Sequence, residues 1–256
     1  MRPWRAVVLG LAAVYFLMPL IAAAEFSLRV PGGYGPTNYL AVVRDAALFE
    51  AVLTSLGIAL LTAALTLVLV VPTAVWVRLR LPGLSGLLES VTILPIVIPP
   101  VVMAAGIAFV QANLGGPVFR ELFASSTTAL TPFYVVLAVP FAFRAIDNGL
   151  AAVPLRTLVE AARNLGAGRA TTLVRVVLPT IRTAVLGAAF LTLALVLGEV
   201  VIARILLYTD TFPVAVVEVG RTAAGVSVAL SLAALVLTWL LLLAVSFAGG
   251  RTGRSR

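Results

Sequence analysis

The sequence predicts an all-α polytopic membrane protein of six transmembrane helices, with N- and C-termini in the cytoplasm. Three observations carry this. Of 256 residues, 62% are hydrophobic and only 11% are charged, against about 45–50% and roughly 25% in soluble domains. Six stretches approach the ~20 mainly apolar residues that a helix needs to cross the hydrocarbon core. The basic residues, all 18 of them arginine, fall unevenly on the segments between those stretches.

The first stretch, 6–24, follows Arg2 and Arg5 and ends Ala22-Ala23-Ala24 before Glu25. That resembles a signal peptide with a small-residue cleavage site. The apolar part exceeds the roughly 7–15 residues of a signal core, so an uncleaved anchor is expected, with Pro19 as a tolerated kink. In the external segment 25–50, Pro31-Gly32-Gly33 and Gly35-Pro36 are turn signals. Thr37 to Glu50 reads as a short interfacial helix capped by Thr37 or Asn38.

Spans two and three are expected at 51–77 and 87–111. The third contains "LPIVIPPVV", residues 94–102, where Pro95, Pro99 and Pro100 remove backbone donors. They read as a packing kink or as a kink that lines or gates a pathway. Gln111 and Asn113, near the outer end of this span, face such a pathway or simply meet water. The fourth span is 129–146, with Arg144 and Asp147 three apart at its inner end as a local pair. The last two are 183–206 and 226–248. The domains expected are an anchor helix and external loop (1–47), a membrane domain (48–248) with a large cytoplasmic loop at 147–182, and a basic tail (249–256).

Orientation follows from the arginines. With the N-terminus inside, thirteen lie on the cytoplasmic side: Arg2, Arg5, Arg78, Arg80, Arg144, Arg156, Arg163, Arg169, Arg175, Arg182, Arg251, Arg254 and Arg256. Five lie outside: Arg29, Arg44, Arg120, Arg204 and Arg221. The net charge of +8 then reads as membrane anchoring and not as nucleic-acid binding. The chain has no cysteine and no histidine, which excludes disulfides and cysteine metal sites and removes the commonest general base. Its ten acids are dispersed, so no metal site is expected. It has no G-x-x-x-x-G-K-[ST] phosphate loop, so it does not bind ATP in the usual way, and no cofactor is expected in this chain.

Two places concentrate chemistry. Glu199, in "LALVLGEVVIARILL", falls within the fifth span. A charge at that depth costs about 2.5–3.5 kcal/mol on insertion scales, which makes it a pathway candidate. It reads equally as a structural ion pair or a residue near the outer interface. Arg204 lies five residues on and points to a different face, and Gly198 permits close helix approach. The second place is the loop "EAARNLGAGRATTLVRVVLP", residues 160–179. Val153-Pro154 opens a helix with an apolar stripe at Leu155, Leu158, Val159, Ala162 and Leu165. Gly166 is placed to end it in the left-handed conformation, and Gly168 adds freedom. A second stripe follows at Leu173, Val174, Val177, Leu178 and Ile181, and Pro179 marks a bend. The loop is thus two amphipathic helices with a glycine elbow. Such a pair either rests on lipid headgroups or docks on a soluble partner.

The same residues resemble the EAA loop of type I ABC importer permeases: Glu-Ala-Ala, a glycine four positions on, and a hydrophobic-x-Leu-Pro after nine more. The matches are Glu160, Ala161, Ala162, Gly166, Val176, Leu178 and Pro179, with valine at 176 where the family more often has isoleucine. The resemblance covers about residues 48–248, leaving one added N-terminal span. It implies the type I importer transmembrane fold, in a multi-pass chain of the cell membrane. It also implies an ATPase-coupling set of Glu160, Ala161, Ala162, Gly166, Ala167, Gly168, Arg169, Leu178 and Pro179. Residues 167–174 would enter the ATPase, and Glu160 would pair with a basic group in the loop or on that partner. The implied partners are an ATPase dimer carrying ATP and Mg, a second permease subunit, identical or homologous, and an extracytoplasmic solute-binding protein. No covalent chemistry is expected in the chain. Pro95, Pro99, Asn113 and Glu199 are the pathway candidates. "LGE" and "YTDTFPVAV" look like polyamine permeases (spermidine/putrescine), with molybdate, sulfate, iron or thiamine as alternatives. An ion-coupled secondary transporter would favour a relay of intramembrane acids, where this chain offers Glu199 alone. A membrane enzyme is disfavoured by the missing histidine and cysteine.

Overall fold

A backbone in hydrocarbon must satisfy every N–H and C=O internally, and this chain does so with helices. The computed structural model describes residues 3–113, 116 and 126–250. Arg2, Arg120, Arg251, Arg254 and Arg256, with most of the basic tail, lie outside these. The helices in order are α1 (Pro3–Leu28), α2 (Thr37–Arg44), α3 (Ala46–Arg80), α4 (Ser85–Val97), α5 (Pro100–Asn113), α6 (Thr131–Ala151) and α7 (Leu155–Asn164). Then come α8 (Arg169–Thr172), α9 (Arg182–Gly198), α10 (Val201–Ile205), α11 (Phe212–Thr222) and α12 (Ala224–Gly250). Among the described residues, four helices are long and apolar enough to span a membrane, and a bent pair makes a fifth if counted as one span.

The first helix runs four residues past its expected end at 24. Glu25 stays helical because its carboxylate accepts from the Arg29 guanidinium at 2.7 Å and from the Tyr34 hydroxyl at 2.5 Å. The turn signals form a small hairpin, Arg29–Val30 against Gly33–Tyr34, in which Gly32 has a φ of +92°. The expected interfacial helix stops at Arg44. Neither Thr37 nor Asn38 caps it: the Asn38 amide instead donates to the Ser27 and Arg29 carbonyls at 2.8 and 3.0 Å. Asp45 caps the next helix, accepting from the Ala47 and Leu48 amides. That helix, α3, has 35 residues and spans about 50 Å at 1.5 Å per residue. It is therefore longer than the ~30 Å hydrocarbon core, and Arg78 and Arg80 sit in its last turn, where cations suit the helix dipole.

Three helices form the centre: α3, α6 and α9 each pack against the other two. Their shared faces use small residues, which is how membrane helices approach closely. Ala59, Ala63 and Ala74 of α3, Ala138 and Ala142 of α6, and Ala188 of α9 are all buried. Gly149 near the end of α6 is the tightest point, since a Cβ there would lie 2.3 Å from the Ala184 Cβ. Ser55, Thr62 and Thr66 follow the same inner line of α3. The buried Thr62 and Thr66 hydroxyls have no hydrogen-bond partner. Helix α12 packs on α1, α2 and α11.

The third span is not continuous. Chain direction changes by 89° between the helix ending at Val97 and the one starting at Pro100. Pro99 and Pro100 both lack an N–H, and a residue before proline avoids the helical region. Ile98 is extended accordingly (φ −76°, ψ 120°). The outer arm, α5, then packs on α10. The pair expected between Arg144 and Asp147 is also replaced. Asp147 accepts from Arg78 at 2.5 Å, a partner 69 residues away that also donates to the Asp147 carbonyl at 3.1 Å.

Candidate functional site

The 160–179 loop folds as a helix, a sharp turn and a second helix at the arginine-rich end of the bundle. Its first helix, α7, ends at Asn164. The Gly166 amide donates to the Arg163 carbonyl at 2.9 Å and the Ala167 amide to the Ala162 carbonyl at 3.0 Å. Gly166 has a φ of +81°. This is the paired 5→2 and 6→1 closure of a Schellman cap, which needs a left-handed residue at that position. The glycine elbow read from the sequence is therefore present. Gly168 contributes no unusual freedom: its φ of −69° and ψ of 169° are open to any residue.

The stripes hold in part. Leu155, Val159 and Ala162 are buried, and the first two join Val177, Ile181 and residues of α3 and α6 in one cluster. Leu165, expected on the stripe, is 89% exposed. The helix has ended before it, so helical spacing no longer places it. Val174 also faces outward. After α8 the backbone is π-helical over Leu173–Val177, and the wider turn breaks the expected spacing. A last turn, Leu178–Thr180, carries Pro179 and ends at Ile181 (φ −102°, ψ 18°).

Of the coupling set, Ala162 is buried, Ala167 and Leu178 are half-buried, and Glu160, Ala161, Gly166, Gly168, Arg169 and Pro179 are exposed. The loop thus anchors one face in the bundle and presents the other outward. Glu160 makes no ion pair within the described chain. It lines a small cavity with Arg80, Arg156 and Arg163.

The other candidate residues lie toward the opposite end. Glu199 is half-buried at a break in the fifth span, where α9 stops at Gly198. One carboxylate oxygen accepts from the Val201 and Ile202 amides at 2.7 and 2.9 Å. It therefore caps α10, satisfying two amides that begin a helix without intrahelical partners. Arg204 has a partner that sequence spacing missed: Glu218 of α11 at 3.2 Å, which Arg221 also reaches at 3.2 Å. Pro95 lies inside α4 and Pro99 at the bend. The Asn113 amide donates to the Phe109 carbonyl at 3.0 Å, back along its own helix. The structure does not bring Glu199 and Asn113 into one hydrogen-bonded cluster.

In "YTDTFPVAV", the Thr127 hydroxyl donates to Asp210, and the Phe212 amide donates to the Ser55 hydroxyl at 2.7 Å. These bonds tie the outer loop to α3 and to the start of α6. Burial first, and the Asp210 carboxylate second, push the Tyr208 phenol above its ordinary value. Among the described residues there is no group of three acids that could hold a metal ion.

Residues 71–252 match the family described as binding-protein-dependent transport system inner membrane component. A probable molybdenum ABC transporter permease protein of Haloferax volcanii is 32% identical over 211 residues, covering 77% of this chain and 71% of the relative. A probable transport system permease protein NifC of Clostridium pasteurianum is 26% identical over 204 residues, covering 75% and 67%. The molybdenum transport system permease protein ModB of Azotobacter vinelandii is 31% identical over 158 residues, covering 58% and 68%.

Proposed function

The chain belongs to the family of binding-protein-dependent transport system inner membrane components, and we propose that it imports an oxyanion of the molybdate class as one of two permease subunits. It is a transport permease subunit and not an enzyme, a multi-pass protein of the cell membrane. Family membership implies an ATPase and a binding protein as partners in general. The specific assembly is our reading. It comprises six spans with cytoplasmic termini, a second permease subunit, an ATPase dimer holding ATP and Mg, and an extracytoplasmic binding protein that delivers the substrate. The Schellman elbow at Gly166 carries the coupling role: it is a rigid corner whose buried side is sewn into the bundle and whose outer side is free. ATPase closure would push that corner and tilt the helices to switch access.

Two observations favour an oxyanion over a polyamine. The relatives named for a substrate are named for molybdenum. A carboxylate would suit a cationic substrate, but that of Glu199 has a structural task, one of its oxygens accepting from the two amides that start α10. The test is uptake by the reconstituted complex with its binding protein, comparing labelled molybdate, sulfate and spermidine. Molybdate uptake that needs ATP and is not displaced by spermidine is expected. Spermidine uptake without molybdate uptake would overturn the substrate reading. Uptake driven by an ion gradient with no ATPase present would overturn the importer reading.

A further inference from the structure

Between the arginine-rich end of α3 and the elbow loop lies a cavity of about 640 Å³. Its wall on α3 is apolar, with Pro72, Trp76 and Leu79, and its rim carries Arg80, Arg163 and Arg169. The last two stand on either side of the elbow. All three arginines are exposed, and none forms an ion pair or side-chain hydrogen bond with a described residue. Glu160 lies in an adjoining cavity with Arg80, Arg156 and Arg163 without forming an ion pair, so four guanidiniums face one carboxylate here. The excess positive charge attracts an anion, and the planar forks suit phosphate oxygens.

The apolar wall says which kind of anion. Leu65, Leu69, Pro72, Trp76 and Arg80 follow one another at three- and four-residue steps, so they share one face of α3. All five are exposed. An exposed apolar stripe thus leads to a tryptophan and then to a guanidinium, the order in which acyl chain, interface and headgroup occur in a bilayer. A free phosphate ion would leave that wall unused. We propose that this cavity binds an anionic phospholipid, with its phosphate on Arg80, Arg163 and Arg169 and an acyl chain along Leu69 and Trp76. The bound lipid would bridge α3 to both sides of the elbow.

The test is native mass spectrometry of the purified full-length chain in mild detergent, titrated with phosphatidylglycerol or phosphatidylcholine. Phosphatidylglycerol should be retained at least tenfold better. At about fivefold per guanidinium, Arg80→Gln/Arg163→Gln/Arg169→Gln should lose roughly a hundredfold in that affinity. The equally neutralised Arg5→Gln/Arg175→Gln/Arg182→Gln should stay within a few-fold of wild type. None of the three rim arginines holds another residue, so folding should survive, and the triple Arg→Lys variant, which keeps the charge, should retain the preference. Equal loss in the control variant, or no preference over phosphatidylcholine, would refute the site. Displacement of the lipid by millimolar inorganic phosphate, with the same arginine dependence, would make it a free-anion site instead. Exclusion of phosphatidylglycerol once the ATPase is bound would make the rim a protein contact.

Discussion

The elbow can be tested one residue at a time, because its two glycines stand in different conformations. Gly166 has a φ of +81° and open space around a would-be Cβ. A side chain there meets no clash, and the whole cost is conformational, about 1–2 kcal/mol for an ordinary L-residue. That is a five- to thirtyfold loss in the population of the closed cap, and more for a β-branched residue. Asparagine visits this region readily and should lose little. Gly168 is extended (φ −69°, ψ 169°), so Gly168→Ala should cost almost nothing. The assay is the number of ATP molecules hydrolysed per substrate imported by the reconstituted complex. Coupling should fall in the order wild type, Gly166→Asn, Gly166→Ala, Gly166→Val, with Gly168→Ala at wild type. Wild-type coupling in Gly166→Val would sink the elbow model, and so would equal damage from Gly168→Ala.

Three other substitutions probe the frame. Gly149→Ala places a methyl group 2.3 Å from the Ala184 Cβ; it should cost about 1–3 kcal/mol and lower the thermal midpoint in detergent, with Ala184→Gly restoring it. Glu199→Ala should lose about 1 kcal/mol of capping, whereas Glu199→Gln, which keeps an acceptor oxygen, should hold both stability and uptake. A Gln variant that is stable but transports nothing would instead assign the charge itself to the pathway. The Arg78–Asp147 pair is about one-third exposed on each side; a double-mutant cycle should return a coupling of at most about 1 kcal/mol, and a value near zero would make the pair incidental.

The features legible in the sequence were those set by local rules. Apolar run length predicts six spans, and among the described residues four helices, or five spans with the bent pair, are long and apolar enough to cross a membrane. The Gly166 cap was readable because an apolar helical stripe ended there in the residue that best tolerates a positive φ. The same stripe misled at Leu165, where periodicity was extended one residue beyond the last helical turn. Other misses were long-range. Arg78 and Asp147 are 69 residues apart, and no local rule selects between Arg78 and the nearer Arg144 as the partner. Arg204 and Glu218 stand on two separate helices, α10 and α11, which no helical spacing relates. The consecutive prolines at 99 and 100 announced a break, but its angle depends on how α5 packs against α10. At Glu199 the sequence shows the depth of the charge; the capping role lies in its position after Gly198, where a helix can stop and an acceptor can start the next.

The contact between Gly149 and Ala184 closes the loop at its root. The chain enters the loop from the end of α6 and leaves it at the start of α9, and those two points touch with no room for a methyl group. The loop is therefore a handle whose two ends are pinned together. A push on it would not pry α6 and α9 apart. It would swing both helices as one lever about a fulcrum at that contact, carrying a small displacement at one membrane face into a larger one at the other.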